Sequence, residues 1–314
     1  MKSLSKLKKI KGDASFREFY RNRENKSIVV VSKKERLKNL LIYDAINKIL
    51  IKNKILAPNL LRENYINNYI EIQDFGDQTL FEILKNKRNN KFIIFKKIVK
   101  ILNKIQSIKD KKIKNFKNKF YKVQVYKNKI LFDEAKLFCE WYVPTILPKV
   151  KRVKFNKKFK FEVKDLLSKL NYKNDTFVHR DFHVSNLMYY NKKIAVIDIQ
   201  DALIGNRAYD LASLIDDVRL KTSNELKEKV FKYFIKTNKK IQLERFKKDF
   251  EILSILRNLK IFVIFLRLAL RYNKKKYLKL IPYAWKLINH RIKEQNEFNN
   301  LMLLLKNNFP KFIR

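Results

Sequence analysis

The stretch DTFVHRDFHVSNLMYYNKKIAVIDIQDALIG, residues 175–205, differs in charge from the rest of the chain. Between residues 175 and 217, seven aspartates stand against four lysines or arginines, whereas the 314-residue chain as a whole has a net charge of +44. Several carboxylates close together in sequence commonly hold a metal ion or move a proton. The composition therefore indicates that this acidic stretch contains the functional site.

The spacing of polar residues in this stretch makes the chemistry specific. His179, Arg180 and Asp181 are followed by Asn186, which gives the pattern H-R-D-x-x-x-x-N of the catalytic loop of phosphoryl-transfer kinases. Each residue alone has a structural explanation, because an aspartate often caps a turn and a histidine is often a core residue. Together, in this order and at this spacing, they predict a catalytic loop.

The residues after the catalytic loop predict a hairpin. Two apolar runs, 187–190 and 194–197, flank the pair Asn191-Lys192, and the second run ends at Asp198. Such a hairpin places Asp198 close to Asn186. A carboxylate and an amide oxygen in that position can share Mg²⁺ ions that bridge the phosphates of ATP.

The composition limits the other classes of function. The single cysteine, Cys139, excludes a disulfide framework and a cysteine-rich zinc site, in agreement with a reducing cytoplasm. The first twelve residues have no apolar core of a signal peptide, and the longest apolar run in a predicted helix, 261–266, is far too short for a membrane span. The sequence therefore predicts a cytoplasmic protein.

The high positive charge invites a nucleic-acid function, because clustered lysine and arginine bind phosphates. Here lysine is abundant along the whole length together with asparagine and isoleucine, so the charge indicates a compositional bias and not one designed face. Nonspecific binding to polyanions remains possible as a side effect of the charge.

Residues 4–31 alternate in the manner of three short strands, the third at 27–31. The turn between the first two strands can place backbone N–H groups and a hydroxyl over phosphates, and Arg17 could reach the same phosphates. The residues of this predicted nucleotide loop are Gly12, Asp13, Ala14 and Ser15.

The next segment completes a predicted N-terminal lobe. Apolar residues recur every three to four positions in 34–52, which predicts one amphipathic helix, and 60–65 and 69–73 predict a hairpin. The break at 74–77 predicts a hinge. After it the chain is predicted to be almost entirely helical outside the acidic stretch, with helices near 78–88, 91–108, 132–147, 161–171, 207–219, 224–237, 242–273 in two pieces, and 276–305.

Two features in the helical part bear on a substrate. Arg257, Lys260, Arg267 and Arg271 fall within about 80° of each other on one helix that is otherwise apolar, so this cationic stripe either faces solvent or lies beside an anionic substrate. Glu140-Trp141 either ends a helix in the core or holds a sugar, with the indole ring stacked on its apolar face. The sequence leaves both alternatives open.

The acidic core resembles the aminoglycoside phosphotransferase family of kinase-like enzymes, and within it the branch of cell-wall sugar kinases. The resemblance is carried by VHRDFHVSNLM and IDIQDALIGNRAYDLASLIDD, and it extends through GDASFREFYR, IEIQDFGDQTL, FCEWYVP, RNLKIFVIFLRLALR and LIPYAW. It implies an α+β, two-lobed protein-kinase-like fold. The small N-terminal nucleotide-binding lobe, an antiparallel sheet with one helix, would span residues 1–75, and the large, mostly helical catalytic and acceptor-binding lobe 76–314.

The resemblance also implies roles for single residues. Asp181 would be the catalytic base, supported by His179 and Arg180, with Asn186 and Asp198 as Mg²⁺ ligands and Asp210 bracing the following helix. The adenine of ATP would lie against the backbone of the hinge. The hinge residues are Gln73, Asp74 and Phe75, and further candidates for acceptor contacts are Glu140, Trp141, His183, Asp201 and Arg257.

The chain departs from the kinase pattern at the third strand, which has no lysine between residues 27 and 31. Lys33, Lys34 or Arg17 could replace that lysine. The function implied is an ATP- and Mg²⁺-dependent kinase acting on the anomeric hydroxyl of N-acetylmuramate or N-acetylglucosamine in peptidoglycan recycling. Two alternatives are a kinase for aminoglycosides or other small-molecule hydroxyls, and a catalytically silent kinase-like protein that binds nucleic acid.

Overall fold

The computed structural model describes residues 7–10, 17–86, 89–293 and 296–313. The predicted nucleotide loop Gly12 to Ser15 lies outside these residues. Contacts divide the chain into two units, Met1–Gln124 with Phe177–Ile204, and Val125–Thr176 with Gly205–Arg314. The lobe boundary after residue 75 stays a prediction from the sequence.

The first unit begins with an antiparallel sheet of the strands β1 (Lys8–Ile10), β2 (Glu18–Asn22), β3 (Ser27–Val31), β4 (Leu60–Asn64) and β5 (Tyr69–Gln73). Their order in the sheet is β1-β2-β3-β5-β4. Val30, at the centre of β3, is fully buried and pairs with Phe19 on one side and Ile70 on the other. The predicted third strand and the predicted hairpin at 60–73 are confirmed.

Helix α1 (Lys38–Lys52) covers one face of this sheet, as its apolar periodicity predicts. Leu40 and Tyr43 of α1 form one core cluster with sheet residues Ile28, Val30 and Ile70. The predicted helix at 34–52 is confirmed, with its first residues in a 3₁₀ turn, Lys34–Arg36.

The rest of the first unit holds two helices and several short strands. The elements are α2 (Leu80–Lys85), α3 (Lys91–Gln106), β6 (Lys112–Lys114), β7 (Phe120–Lys122), β8 (Thr176–Val178), β9 (Leu187–Tyr190), β10 (Lys193–Val196) and β11 (Leu203–Gly205), of which the end residues Thr176 and Gly205 belong to the second unit. Strands β9 and β10 pair with Tyr190 opposite Lys193, so the predicted hairpin is confirmed. The hairpin of β6 and β7 corrects the expectation that this region is helical; its strands have three residues each, too few to show alternation in sequence.

The second unit is helical. Its helices are α4 (Asn128–Trp141), α5 (Val143–Ile146), α6 (Lys149–Ser168), α7 (Ala208–Ile215), α8 (Asn224–Thr237), α9 (Leu243–Tyr272), α10 (Ile281–Ile292) and α11 (Asn299–Asn308). Its core is rich in stacked aromatic rings, and Trp285 Nε1 donates a hydrogen bond to Tyr142 Oη at 2.9 Å. None of the helices in the described ranges is both long and apolar enough to cross a bilayer.

Three predicted helix bounds are wrong. Helix α9 is continuous and not in two pieces, because it is buried along most of its length and tertiary packing outweighs its interrupting charges. The stretch 276–305 is interrupted, and Pro282 lies in the first turn of α10, where its missing N–H costs nothing. Helix α6 begins at Lys149, before the predicted start at 161, because Val150 and Val153 are exposed and obscure the amphipathic pattern.

A buried ion network joins three helices of the second unit. Asp216, just after α7, accepts hydrogen bonds from Arg291 Nε at 2.9 Å, Lys227 Nζ at 3.0 Å and Ser254 Oγ at 2.6 Å. Burial alone would raise the pKa of Asp216, but the charges of Arg291 and Lys227 outweigh burial and hold the pKa well below its usual range. The network therefore stabilises the fold only while Asp216 is ionised.

Replacing Asp216 by asparagine should lower the free energy of unfolding by about 3–5 kcal/mol, because it leaves two buried cations without a counter-charge. Because the folded-state pKa is depressed, this contribution is present above the unfolded pKa of about 3.9 and is lost as the pH falls below it. Urea unfolding at pH 7 and at lower pH measures both effects. Glu225→Gln, which breaks an exposed pair with Lys229, is the control and should leave the midpoint unchanged; an equally small effect of Asp216→Asn would contradict the prediction.

Candidate active site

The imidazole of His179 connects the two segments that carry the predicted catalytic groups. Its Nε2 lies 3.0 Å from the carbonyl oxygen of Ile197, and the Asp181 backbone N–H donates to its Nδ1 at 3.3 Å. The ring is fully buried, so these two hydrogen bonds place its proton on Nε2. His179 thus fixes the loop that bears Asp181 to the end of the segment that leads into Asp198.

Asn186 is held in one orientation by the same loop. Its side-chain Nδ2 donates to the backbone carbonyl oxygen of Asp181 at 3.0 Å, and its backbone carbonyl oxygen accepts from the Ile197 N–H at 3.0 Å. Because the Asp181 carbonyl can only accept, the amide nitrogen of Asn186 must face it. The amide oxygen therefore points away from the Asp181 carbonyl oxygen and can act as a metal ligand.

Two residues of the site have a left-handed backbone conformation. Arg180 has φ +73° and Asp198 has φ +60°. A non-glycine residue in this region costs about 1–3 kcal/mol, and such residues cluster at functional sites. The strain falls at Arg180, which precedes Asp181 in the chain, and at Asp198 itself. This is expected of a site that the surrounding structure holds in place.

The Asp198 carboxylate is paired and still accessible. Its Oδ1 accepts from Arg17 Nη2 at 3.1 Å and from Gln200 Nε2 at 3.1 Å, while the side chain is 44% exposed. A partly exposed carboxylate with one oxygen held by two donors can bind a cation through its other oxygen.

Arg17 is the cation that reaches this carboxylate. Its side chain is almost completely buried, and its guanidinium lies 5.7 Å from the ring centroid of Phe19 and 5.5 Å from that of Tyr43. Lys33 and Lys34, the alternatives from the sequence, are exposed. Burial raises the pKa of the Tyr43 hydroxyl to about 12, so an uncharged phenol lies under the guanidinium. Of the three candidate cations, Arg17 is thus the one that contacts the predicted metal ligand Asp198.

Gln200 is a residue of the site that the sequence did not assign. It is buried, and its Nε2 donates to Asp198 Oδ1 at 3.1 Å and to Asp201 Oδ2 at 3.0 Å. It separates two carboxylates that would otherwise repel each other. The signal that could have identified Gln200 in the sequence is its position two residues after Asp198.

The hinge is held by a second residue that was missed. Arg21 Nη1 donates to both oxygens of Asp77 at 2.6 and 2.7 Å, and its Nη2 donates to the Gly76 carbonyl at 3.0 Å and to Asp74 Oδ1 at 3.2 Å. Gly76 has φ +79°, a conformation that glycine adopts without strain. Arg21 thus fixes β2 to the hinge that is predicted to receive adenine.

Phe75 is a buried residue of that hinge. Its ring is buried against Met188 and Ala195 and lies 5.0 Å, centroid to centroid, from Tyr190. Within the described part of the chain its backbone amide and carbonyl carry no hydrogen bond. The contact of adenine with the backbone of this hinge stays a prediction from the sequence.

The oxygen donors of the site fit magnesium. The described residues contain no group of three or more His, Cys, Asp or Glu that could hold a metal ion. Magnesium needs no such group, since it is commonly held by one or two protein oxygens, water and substrate phosphates. The oriented amide oxygen of Asn186 and the accessible carboxylate of Asp198 form such a set.

The structure places the remaining candidates in different surroundings. His183 is buried in the catalytic loop with its Nε2 3.4 Å from Asn186 Nδ2, and Asp201 is exposed beside Gln200. Glu140, Trp141 and Arg257 belong to the second unit, in which Asp210 is fully buried in the first turn of α7. Their predicted roles remain predictions.

The Glu140-Trp141 pair has local partners. Glu140 lies 3.6 Å from Lys136 Nζ, and the half-buried indole of Trp141 has the guanidinium groups of Arg267 and Arg271 at 5.8 and 4.8 Å from its centroid. Cations therefore already lie beside the ring that was proposed to stack on a sugar.

Comparison with known proteins gives the family. Residues 6–240 match the phosphotransferase enzyme family. The N-acetylmuramate/N-acetylglucosamine kinase of Neisseria meningitidis is 25% identical over 281 residues, covering 86% of this chain and 80% of the relative. The protein of the same name from Pseudomonas aeruginosa is 25% identical over 301 residues, covering 93% and 86%.

Solved structures show the same fold. The ADP-bound aminoglycoside phosphotransferase APH(2'')-Ib has a TM-score of 0.60 at 18% identity and covers 90% of this chain and 91% of its own. A choline/ethanolamine kinase family protein from Mesorhizobium loti has a TM-score of 0.63 at 12% identity, covering 96% and 92%. The predicted kinase-like fold is confirmed. The chain belongs to the phosphotransferase enzyme family, and it is a nucleotide-dependent kinase with a hydroxyl group as acceptor.

Proposed function

We propose that the chain transfers the γ-phosphoryl group of ATP to the anomeric hydroxyl of N-acetylmuramate or N-acetylglucosamine, in the cytoplasm, during peptidoglycan recycling. The observation that carries the proposal is the frame formed by His179 and Asn186, which positions Asp181 and Asp198 together. The relatives' names supply the acceptor class.

The chemistry requires little covalent work from the protein. The acceptor hydroxyl gives its proton to the Asp181 carboxylate while its oxygen bonds to the γ-phosphorus, and the bond from that phosphorus to the β,γ-bridging oxygen breaks to release ADP. The barrier falls chiefly through positioning and charge neutralisation. The hydrogen bonds that the backbone N–H and carbonyl of Asp181 form with His179 and Asn186 serve the positioning of this residue.

Charge neutralisation would come from two sources. Bound Mg²⁺, held by Asn186 and Asp198, would neutralise the phosphate oxygens. Arg17 would supply the second positive charge. Its contact with Asp198 places it beside the predicted metal ligand, and its ring contacts hold it there.

An acceptor screen tests the proposal. ADP formation should be measured with ATP and, in parallel, N-acetylmuramate, N-acetylglucosamine, kanamycin and choline. We expect turnover with one or both amino sugars, and the product should lose its reducing end because the phosphoryl group blocks the anomeric carbon. Turnover with kanamycin or choline alone would replace the proposal with the alternative acceptor class, and a product that still reduces would contradict the anomeric position.

Asp181→Asn should lower kcat by at least about 10²- to 10⁴-fold, the contribution of a positioned base. ATP binding should persist, because the loop is held through backbone atoms of Asp181 that the substitution retains. Steady-state kinetics and nucleotide titration separate the two effects. Near-normal turnover of the variant would exclude Asp181 as the base.

Asp198→Ala should weaken Mg²⁺-dependent ATP binding more than Asn186→Ala, since a carboxylate compensates the metal charge and an amide does not. Calorimetric titration of ATP into each variant, with Mg²⁺ and with EDTA, measures the metal-dependent part. If both variants lose little of that part, the metal is held by other groups.

Arg17→Met should lower kcat/KM for ATP by about 10- to 100-fold, the value of a lost charged hydrogen bond. Arg17→Lys should recover part of the loss because it restores the charge without the planar donor geometry. Lys33→Met and Lys34→Met are matched controls and should behave as wild type. A larger loss in either lysine variant than in Arg17→Met would assign the third-strand function to that lysine.

A further inference from the structure

Helix α6 has apolar side chains on two opposite sides. On one side, Phe155 and Phe159 are buried in the aromatic core of the second unit. On the other side, Val150, Val153 and Phe161 are 91%, 77% and 68% exposed. A single exposed apolar residue is ordinary, but several on one side of a helix form a patch that indicates a binding surface.

Lysines lie among these exposed apolar residues. At 100° per residue, six exposed residues of α6 fall within an arc of about 100°. These residues form the outer face of α6: Val150, Val153, Lys154, Lys157, Phe161 and Lys164. Between residues 149 and 161 the chain has six lysines, one arginine and no aspartate or glutamate. The outer face therefore combines apolar side chains with a dense positive charge.

The lysine-rich bias of the chain does not produce this combination on a comparable helix. On α8, Glu225 lies 2.6 Å from Lys229 and Glu228 lies 2.7 Å from Lys232. No large apolar side chain of α8, all of which the structure describes, is exposed. Compositional bias thus accounts for exposed lysines, but it does not account for the three apolar side chains between them on α6.

The outer face is held in place by contacts on the rest of the helix. Arg152 contacts the end of α5, where its Nε donates to the Leu147 carbonyl at 2.8 Å and its Nη2 donates to the Pro144 carbonyl at 3.0 Å. The buried rings of Phe155 and Phe159 fix the rotation of the helix against the core. A partner therefore meets a preformed surface, and its affinity is not reduced by the cost of ordering the helix.

The chemistry of the outer face matches the surface of an anionic lipid bilayer. Lysines bind the headgroup phosphates, while their alkyl stems and the neighbouring apolar side chains enter the boundary between headgroups and acyl chains. The phosphate backbone of a nucleic acid would use the lysines and leave Val150 and Val153 in water. The apolar side chains therefore favour a bilayer over a nucleic acid.

We propose that the outer face of α6 binds the surface of an anionic phospholipid membrane. Phe161 and the two valines lie below the headgroups in this complex, and the three lysines contact the phosphates. The binding is peripheral and uses no residue of the candidate active site, so it is independent of the kinase function. It also differs from a diffuse effect of the net charge of +44, which every exposed lysine would share.

Vesicle sedimentation with the full chain tests the proposal. Vesicles of phosphatidylglycerol and phosphatidylcholine supply the anionic surface, and vesicles of phosphatidylcholine alone are the neutral control. At about 150 mM salt, where charges on open surfaces are screened, we expect at least about 10-fold tighter binding to the anionic vesicles. Equal binding to both kinds of vesicle, or binding to neither, overturns the proposal.

Charge variants locate the contact on the chain. Replacing Lys154, Lys157 and Lys164 together by glutamine should weaken binding to anionic vesicles about 100-fold, because each lysine near such a surface contributes about fivefold. The matched control replaces three exposed lysines outside α6 by glutamine: Lys236, Lys239 and Lys240. This control should lose less than about fivefold in all. Equal losses in the two triple variants overturn the proposal, because the net charge would then act as one diffuse field.

Apolar variants distinguish a membrane from a nucleic acid. Replacing Val150, Val153 and Phe161 together by glutamine should weaken binding to anionic vesicles at least about 10-fold and leave binding to duplex DNA unchanged. Ile66→Gln, at a residue of the first unit that is 90% exposed, is the matched control and should bind vesicles as wild type does. If the triple variant also binds vesicles as wild type does, the outer face is a general phosphate-binding surface and the proposal is wrong.

Fluorescence measures insertion directly. The emission of Phe161→Trp should shift to shorter wavelength with anionic vesicles, beyond any shift of the two native tryptophans, Trp141 and Trp285, in wild type. Because every substituted side chain is exposed, Tm and kinase turnover without vesicles should equal those of wild type in all variants. Emission of Phe161→Trp that stays unchanged with bound vesicles leaves the ring in water and overturns the proposal.

Discussion

The hydrogen bond between His179 Nε2 and the Ile197 carbonyl is the constraint on which the site depends. The chain leaves the catalytic loop at Asn186, runs through the β9–β10 hairpin and returns to Asp198. Pairing within the hairpin sets how far the chain runs between Asn186 and Asp198. The imidazole of His179 holds the end of this segment through the Ile197 carbonyl. Because His179 also accepts from the Asp181 amide, one buried ring holds the backbone at Asp181, the predicted base, and next to Asp198, the predicted metal ligand. The strained backbone at Arg180 and Asp198 persists because the surrounding contacts hold it.

Much of this frame could be predicted from the sequence, because it depends on local spacing. The H-R-D-x-x-x-x-N pattern, the Asn191-Lys192 turn and the alternation of the first sheet involve neighbours in the chain. The partners of the site residues could not be predicted in the same way. Arg17 and Asp198 are 181 positions apart, and sequence alone could not choose between Arg17, Lys33 and Lys34. The hinge contact of Arg21, 56 residues from Asp77, was missed for the same reason.

The wrong helix bounds have a related physical cause. Helix α9 carries charges that a periodicity argument takes as an interruption, yet Asp249 and Glu251 are fully buried within it. Asp249 is satisfied from outside the helix, by the Asn171 and Tyr172 backbone amides at 2.7 and 2.9 Å and by Asn206 Nδ2 at 2.6 Å. A polar residue satisfied by distant partners does not end a helix. Continuity of α9 therefore depends on tertiary hydrogen bonds that the local pattern does not contain.

The same reasoning separates compositional charge from functional charge. A lysine-rich bias acts at exposed positions, where a substitution changes the stability of the fold little. Most of the 74 lysines and arginines can be explained in this way. Bias does not explain a buried cation, because burial without a partner opposes folding. In Arg17 and Arg291 the cost is offset by a carboxylate of the chain itself. Among the described residues, Arg257 is buried without a carboxylate paired to it, so its burial is not explained by the compositional bias that accounts for most of the net charge of +44.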